Sequence, residues 1–520
     1  MFNKLTRFDR HFKLIVVIFF VFFLITGLAI YKDYGASWDE HLQRITGIVF
    51  INYIVDGNKY LFEYVDRYYG PVFEVFLVAV ERMFGFNQDS QSLYYMRHLM
   101  TFLLFYISVF YFYRLCKVVF NNDRIGLLAA LMLILSPRIF AHAFYNTKDL
   151  AFLSMFTIGV YTHVQFLKHK TIGRAFIHAL ICAWAIDIRI LGVLLPVFTA
   201  IFYLADMYFD KESTPKTSMA WRNFALFAAM AFGLTVLFWP TLWPDPIGHI
   251  IGALKHMSHY PSDGNVLYMG EFVPSKALPW HYVPVWMLIT TPIVYTVCFF
   301  AGMIFIVQRV IKNPRQFYIQ HKPIVFSIIW LFVPILMVIV LKSVLYDGWR
   351  QIFFVYPGLL LIAMFGLANL YDTLNLKMKN VLCIIVAICI LQVGWVMVKI
   401  HPFQNVYFNR LAGAKMSVVK DRFDMDYWGL SYRRALEYIL ANDKRDKIKL
   451  AVLNSPGRSN AYILKASERA RLDYVDDLKQ ADYFLSNYRK FKGEYPFGKE
   501  YYALKVGDAN IMVVYKLKGY

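Results

Sequence analysis

Long, nearly uninterrupted runs of apolar residues, separated by short polar stretches, dominate the pattern of this chain. Eleven runs approach the ~20 residues that an α-helix needs to cross a bilayer, and we predict that each one spans the membrane. Their approximate bounds are 13–31, 96–119, 125–143, 149–167, 173–188, 190–208, 222–242, 284–309, 323–342, 350–370 and 378–399. The pattern therefore predicts a polytopic α-helical membrane protein with about 11 transmembrane helices.

The charged positions between the runs predict the orientation. The first run is preceded by Lys4, Arg7, Arg10 and Lys13. It is too long for a cleaved signal peptide, and its end is a poor small-residue cleavage site. Alternate loops carry most of the clustered Lys and Arg residues. These loops are 121–124, 168–174, 210–222, 309–322 and 371–379. The positive-inside rule then places the N-terminus in the cytoplasm, and an odd number of spans places the C-terminal segment outside.

Two of the three long stretches on the predicted outer side contain amphipathic segments. Trp38–Val55 has apolar residues at helical spacing, which predicts a helix lying along the membrane surface. Tyr69–Phe84 is apolar but interrupted by charges, so we expect an amphipathic or re-entrant segment. Another surface helix is predicted near Ile247–His259.

The pattern changes after residue 400, where charge density rises and long apolar runs stop. Leu430–Ala441 reads as a helix, and Ile448–Leu453, Ala481–Asn487 and Ile511–Leu517 read as short strands. We therefore predict a transmembrane domain over 1–399 and a small α/β extramembrane domain over 400–520.

Composition supports the membrane assignment and excludes some partners. The chain is 58% hydrophobic and only 17% charged, whereas soluble domains are less apolar and more charged. The formal net charge of +20 is expected in cytoplasmic loops of a membrane protein, so we infer no nucleic-acid partner. The five cysteines lie in apolar runs without metal-ligand spacing, which argues against a disulfide framework.

Asp39 and Glu40 are the first candidates for chemistry, because they follow the first span and should lie at the membrane surface. A carboxylate there could deprotonate an acceptor hydroxyl. Alternatively, Ser37 and Glu40 have the spacing of a helix capping box. That alternative explains Glu40 fully but Asp39 less well, since one capping partner is enough.

Further polar residues occur at span ends on the same predicted side. These are Arg97, Arg138, Asn146, Asp149, Asp187, Arg189 and Arg350. Such groups near membrane depth are costly unless they face a cavity or pair with each other. Asp149 could simply cap its helix, Asp187 and Arg189 could form a structural ion pair, and Arg350 could be a snorkelling anchor. Several arginines at one depth nevertheless favour an anionic lipid headgroup, which a guanidinium binds well.

Asp424-Met425-Asp426 matches the D-x-D pattern of nucleotide-sugar enzymes. The pattern is short and lies on the predicted outer side, where nucleotide sugars should be absent. We therefore assign it no role.

Taken together, these landmarks resemble the GT-C glycosyltransferases that use polyprenyl-phosphate sugars, particularly the protein O-mannosyltransferases and lipid A aminoarabinose transferases of the glycosyltransferase family 39-like group. The resemblance covers about 1–400. It consists of Asp39-Glu40 after the first span, Arg97 at the start of the second, Ser136-Pro137 with Asn146 and Asp149, and Asp347 and Arg350 before Tyr356-Pro357. One departure is Tyr69-Gly70-Pro71, where aminoarabinose transferases carry an acidic–basic pair before a proline.

The resemblance implies roles for individual residues. Asp39 would be the general base, with Glu40 helping to bind acceptor or donor. Arg350, with Arg138 or Arg189, would bind the donor phosphate. Asp149, with Asn146 and Arg97, would position the acceptor or a divalent metal, which is the one cofactor that the resemblance suggests.

The expected function is an inverting hexosyl- or pentosyltransferase of the inner (plasma) membrane. It would transfer sugar from a polyprenyl-phosphate donor to a hydroxyl of a protein, lipid or glycan outside the cytoplasm. The alternatives are a transporter or flippase for a lipid-linked or anionic substrate, and a membrane-anchored glycan-assembly protein.

Overall fold

The computed structural model describes residues 7–86, 88–209, 217–258 and 264–517. Sixteen helices precede residue 400: α1 Arg7–Ile30, α2 Glu40–Asp56, α3 Val72–Met83, α4 Gln91–Phe120, α5 Asp123–Ile134, α6 Pro137–Tyr145, α7 Asp149–His169, α8 Ile172–Ile186, α9 Leu194–Phe209, α10 Thr217–Phe238, α11 Pro246–Ser258, α12 Tyr282–Thr290, α13 Ile293–Lys312, α14 Pro314–Val340, α15 Tyr356–Thr373 and α16 Leu376–Lys399. A hairpin of β1 Asn265–Tyr268 and β2 Glu271–Pro274 lies between α11 and α12. Lys4, positions 210–216 of the predicted basic loop, and His259 lie outside the described residues.

Within that described part, nine helices are long and apolar enough to cross a membrane. The segments α5 and α6 form a tenth candidate span that bends by 69°, and α8 is a shorter apolar helix. All eleven predicted segments are therefore helical, and the prediction of a polytopic helical membrane protein is confirmed.

Two predicted spans differ from the structure because they are interrupted. The span predicted at 125–143 breaks at Ser136, whose extended backbone precedes Pro137 at the first position of α6. A residue before proline avoids the helical region, and proline is well tolerated at a helix start, so a new helix begins there. The span predicted at 284–309 breaks at Pro292, between α12 and α13, for the same reason.

The helices differ strongly in burial. In α7, and in the span that includes α15, 89% of the most apolar stretch is buried, whereas α1 and α16 have only 17% buried. A helix with apolar residues on its outward face fits contact with lipid. The bundle thus has α7 and α15 at its centre and α1 and α16 at its periphery.

Close approach of α13 to α15 depends on two glycines. A Cβ atom at Gly366 would overlap the Cys298 carbonyl oxygen and the Gly302 backbone, and a Cβ at Gly302 would overlap the Ile362 carbonyl oxygen. Small residues let membrane helices pack backbone to backbone, where dispersion forces supply the attraction.

Helix α2 buries polar and apolar residues alike, and its buried residues include Arg44 and Thr46 as well as Phe50 and Ile51. Leu42 on the predicted apolar face is 49% exposed, while Arg44, Thr46 and Gly47 are buried. Gly47 allows α2 to approach the backbone of α3 at Glu74. Because lipid is apolar, a helix at the membrane surface can place its apolar residues outward and its charges against protein.

Residues 400–517, which we term the C-terminal domain, form a small α/β unit. It contains α17 Met416–Lys420, α18 Tyr432–Asn442, α19 Pro456–Ser459 and α20 Ala466–Arg469, with β3 Ile448–Val452, β4 Leu472–Tyr474, β5 Tyr483–Ser486, β6 Glu500–Val506 and β7 Ala509–Lys516. The strand order is β4-β3-β5-β7-β6, parallel for the first three strands and antiparallel for the rest. Leu436 and Ile439 of α18 pack with Leu450 and Val514 of the sheet.

The C-terminal domain is fastened to the first loop of the bundle. The Asn460 side chain donates to the Ala36 carbonyl at 2.9 Å and accepts from the Ala36 amide at 3.0 Å. The Trp38 amide donates to the Trp428 carbonyl at 3.1 Å. These bonds place Asp39, directly after Trp38, under the C-terminal domain, and we call this end of the helices the domain side.

We predict that Gly366→Leu destabilises the protein by about 1–3 kcal/mol, because the added side chain forces α13 and α15 apart. The measurement is the thermal unfolding midpoint of purified protein in detergent. Gly233→Leu in α10 is the matched control, since no atom lies within 4 Å of a Cβ placed there. Equal midpoints for both variants would contradict the close-packing argument.

Candidate functional site

Arg350 lies at the centre of a buried ionic cluster on the domain side. It begins the 3₁₀ helix Arg350–Val355 that precedes α15, and it is 3% exposed. Its Nη1 atom lies 3.2 Å from Asp39 Oδ2 and 3.0 Å from Asp149 Oδ2, and its Nη2 atom lies 3.4 Å from Asp347 Oδ2. Three carboxylates from distant parts of the chain therefore share one guanidinium.

Asp39 is the accessible member of this cluster. Its side chain is 27% exposed, against 8% for Asp347 and 0% for Asp149. It directly precedes α2 and makes no side-chain capping bond there. Its carboxylate is thus available both to Arg350 and to a molecule arriving from outside.

Glu40 is the first residue of α2 and makes one of the two contacts that the capping alternative described. Its Oε2 atom accepts from the Ser37 amide at 2.7 Å, and its Oε1 atom lies 3.0 Å from His98 Nε2. Ser37 Oγ donates to the Tyr145 carbonyl and makes no return cap. The structure therefore places the Glu40 carboxylate against Ser37 and His98 rather than against Arg350.

Asp149 and Asn146 form a rigid unit at the start of α7. The Asn146 Oδ1 atom accepts from the Asp149 amide at 2.8 Å, and its Nδ2 atom donates to Asp149 Oδ2 at 3.0 Å. Arg189 pairs with the other oxygen, Asp149 Oδ1. A buried carboxylate needs such pairing, because an isolated charge is costly away from water.

Asp187 and Arg189 do not form the structural ion pair considered from the sequence, because Arg189 pairs with Asp149. Both Asp187 carboxylate oxygens are buried and lack a hydrogen-bond partner among the described residues. Gly70 packs against the Asp187 backbone so closely that a Cβ would overlap it.

Lys148 is a cation of this site that the sequence analysis did not single out. Its ammonium lies 2.9 Å from the centre of the Tyr69 ring. Burial, together with nearby Arg189, lowers the pKa of Lys148 to about 7, and Asp39 opposes the shift. In the sequence, Lys148 is indicated only by its position directly before Asp149.

Arg97 and Arg138 lie in neighbouring contacts outside the Arg350 cluster. Arg97 is fully buried and pairs with Glu74 and Glu81 of α3, and Thr147 donates to Glu74. Arg138 Nε donates to the Tyr407 carbonyl at 2.9 Å, and the guanidinium lies 4.4 Å from the Phe408 ring centre.

Two tryptophans and an arginine complete the cluster. The Trp428 ring centre lies 4.5 Å from the Arg350 guanidinium, and Trp428 Nε1 donates to His142 Nε2 at 3.2 Å. Arg489 of the C-terminal domain pairs with Asp347 at 2.7 Å and lies 4.1 Å from the Trp38 ring centre. Sequence reasoning missed Trp428 and Arg489 because no local pattern links the C-terminal domain to the first loop.

The D-x-D pattern has structural partners. Asp426 accepts from the Ser431 amide and hydroxyl and from Asn405 Nδ2, at 2.9, 2.5 and 3.1 Å. Asp424 accepts from the Leu267 amide at 2.9 Å.

The residues around Asp149 do not fit a divalent metal. Its oxygens are engaged by Arg189, Arg350 and Asn146, and a guanidinium excludes a second cation from the same oxygen. Over the described ranges, no group of three His, Cys, Asp or Glu side chains is arranged to hold a metal ion. The chemistry below is therefore derived without a metal.

The bundle of membrane-length helices defines a multi-pass membrane protein, and its ion-lined cluster lies at one end of the helices under a small α/β domain. A family model described as dolichyl-phosphate-mannose-protein mannosyltransferase matches residues 69–239. Comparison with curated protein sequences gives no significant match.

Two solved structures are similar over almost the whole chain. ArnT from Cupriavidus metallidurans in the apo state gives a TM-score of 0.53 at 12% identity, covering 96% of this chain and 98% of that chain. The same protein bound to undecaprenyl phosphate gives 0.51 at 14% identity, covering 96% and 97%. The chain therefore has the ArnT-like GT-C fold that the resemblance predicted.

We predict that Asp149→Asn destabilises the protein by about 3–5 kcal/mol, because Arg189 and Arg350 would lose their shared buried partner. The thermal unfolding midpoint should fall clearly. Asp476→Asn is the control, since that carboxylate is 94% exposed and its pairing with Arg458 is solvated. An unchanged midpoint for Asp149→Asn would show that the buried ion pairs do not hold α7 in place.

Proposed function

We propose that this protein transfers a sugar from a polyprenyl-phosphate donor to an acceptor hydroxyl at the outer face of the inner (plasma) membrane. In this proposal 1–399 is the transmembrane catalytic domain, the N-terminus is cytoplasmic, and 400–520 is extracytoplasmic. The observation that carries the proposal is the 3.2 Å contact of Asp39 with Arg350, which brings a partly exposed base and a phosphate-binding group into one site.

Charge balance supports binding of an anion. In the ion pairs of the cluster, the carboxylates of Asp39, Asp149 and Asp347 are matched by the guanidiniums of Arg350, Arg189 and Arg489. Lys148, with a pKa of about 7, adds a partial positive charge at neutral pH, which Asp66 offsets in part. A phosphodiester, as in a polyprenyl-phosphate sugar, carries one negative charge.

Unpaired donors support the same conclusion. Arg189 Nε and Arg350 Nε are buried N–H groups that have no acceptor within the described parts of the chain. Leaving such a group unpaired costs about 1–3 kcal/mol, and more for a charged group. Phosphate oxygens are suitable acceptors, and the similar protein ArnT has been crystallised with undecaprenyl phosphate.

The reaction follows from these placements. The donor phosphate takes the Arg350 contacts now made by Asp39, which frees the Asp39 carboxylate. Asp39 then removes the proton from the acceptor hydroxyl as the hydroxyl oxygen attacks the anomeric carbon. The bond from that carbon to the phosphate oxygen breaks, and the phosphate leaves with the electron pair, stabilised by Arg350 and Arg189.

In this mechanism the attack comes from the face opposite the phosphate, so the anomeric centre is inverted. The leaving phosphate is stable as an anion and needs no proton, so one base is sufficient. Transporters with alternating access usually bind substrate near the membrane midplane. The position of the Arg350 cluster beside the C-terminal domain therefore favours a transferase over a transporter.

We predict that Asp39→Asn lowers transfer by about 10²–10⁴-fold, the usual contribution of a general base. The measurement is mass spectrometry of surface glycans and lipids in a deletion strain that expresses each variant. The amide can still contact Arg350, so folding and donor binding should persist.

The matched control is Asp56→Asn, which changes an exposed carboxylate at the other end of α2 and should leave transfer intact. Full transfer activity of Asp39→Asn would exclude Asp39 as the base.

We predict that binding of a farnesyl phosphodiester weakens roughly tenfold between pH 6 and pH 9. Below its pKa of about 7, Lys148 is charged and attracts the anion; deprotonation at higher pH removes that attraction. The diester itself does not titrate in this range. Binding is measured by tryptophan fluorescence of the purified protein.

The variant Lys148→Gln should bind the diester weakly and with little dependence on pH. Lys59→Gln, at an exposed position, should behave as the unchanged protein. A pH profile that survives in Lys148→Gln would assign the titration to another group.

A further inference from the structure

Arg489 is the part of the C-terminal domain that enters the ionic site. It follows β5, and its side chain is 11% exposed. Its Nη2 atom pairs with Asp347 at 2.7 Å, and its Nη1 atom is buried without an acceptor in the described portion of the protein. One face of the guanidinium covers Trp38, the residue before Asp39.

Asp347 is shared unequally between two arginines. Its Oδ1 atom lies 2.7 Å from Arg489, whereas its Oδ2 atom lies 3.4 Å from Arg350. The shorter contact is the stronger one, because charge-assisted hydrogen bonds weaken quickly beyond about 3 Å. Asp347 is thus held more tightly by Arg489 than by Arg350.

The backbone of Asp347 indicates that this placement is imposed by its surroundings. Asp347 has a φ of 58° and is followed by Gly348 with a φ of 73°. An aspartate in the left-handed region is uncommon and is maintained when surrounding contacts hold it. The two ion pairs of Asp347 are such contacts.

We propose that Arg489 is a positioning residue that keeps Arg350 available to the donor phosphate by holding Asp347, which makes the C-terminal domain part of the donor site. This inference rests on the proposed function. Without Arg489, Asp347 would close on Arg350 and compete with the phosphate for the same guanidinium.

The test uses the full-length purified protein in lipid nanodiscs and farnesyl phosphate as the probe, with affinity measured at pH 8 by tryptophan fluorescence and confirmed calorimetrically. Arg489→Gln should weaken binding about tenfold, and Arg489→Lys, which keeps the charge, about threefold or less. The double variant Arg489→Gln/Asp347→Asn should return to within about threefold of the unchanged protein, because the competing carboxylate is gone.

This rescue separates positioning from a merely structural role, since a second substitution at the same contact would not repair a lost structural support. Arg445→Gln is the matched control, because Arg445 also pairs with aspartates of the C-terminal domain, namely Asp443 and Asp482. It should bind farnesyl phosphate normally.

Two results would overturn the inference: unchanged binding in Arg489→Gln, or a double variant as weak as Arg489→Gln alone. If Arg489→Gln fails to fold, Asp347→Asn decides: binding at least as tight as in the unchanged protein supports the inference, and weakened binding rejects it. Arg350→Lys tests the proposed function separately. If it binds the probe as well as the unchanged protein, the donor site itself is misplaced. If Arg350→Lys loses binding while Arg489→Gln keeps it, only the role of Arg489 is rejected.

Discussion

The pairing of the Arg350 guanidinium with three carboxylates determines how the domain side is built. A buried positive charge is costly unless it is compensated, and here the compensation comes from Asp39, Asp149 and Asp347. These aspartates belong to the first loop, to the start of α7 and to the turn before α15. The requirement to neutralise one charge therefore fixes three segments relative to each other, and two of these segments lead into the most buried helices of the bundle.

The C-terminal domain contributes to this site as well as covering it. Trp428 lies against Arg350, and Arg489 lies against Trp38. A guanidinium on an aromatic ring gains cation–π attraction and keeps its planar edge free for hydrogen bonds. The bonds of Asn460 to Ala36 hold the first loop to the same domain. Loss of contact between the C-terminal domain and the bundle would thus disturb Asp39 and Arg350, the proposed base and phosphate-binding group, together.

The graded exposure of the three aspartates relates this structure to a reaction. Asp149 and Asp347 are buried and serve to hold arginines, whereas Asp39 is partly exposed and has Arg350 as its charged partner. An anion that binds Arg350 can replace Asp39 without exposing the other two. The same guanidinium would then stabilise a leaving phosphate while the displaced carboxylate accepts a proton.

Hydrophobic length and charge determined the class of this protein from sequence alone. The eleven helical segments, the C-terminal α/β unit and the common side of Asp39, Asp149 and Arg350 all follow from local properties, because a span needs only enough apolar residues and its loops need only a charge bias. The break at Ser136-Pro137 also has a local cause, since a residue before proline avoids the helical region. The contact of Glu40 with Ser37 was present in the sequence as an alternative, since a cap involves residues three positions apart.

Only the tertiary structure decided which charged groups meet. Arg97 pairs with glutamates of α3, Arg138 reaches the Tyr407 carbonyl, and Arg189 pairs with Asp149 instead of Asp187. Lys148 and Arg489 join the site although no motif marks them. Each of these contacts depends on the packing of segments far apart in the chain, and many cations near the membrane surface look alike locally, so their partners are fixed by helix packing and by the docking of the C-terminal domain.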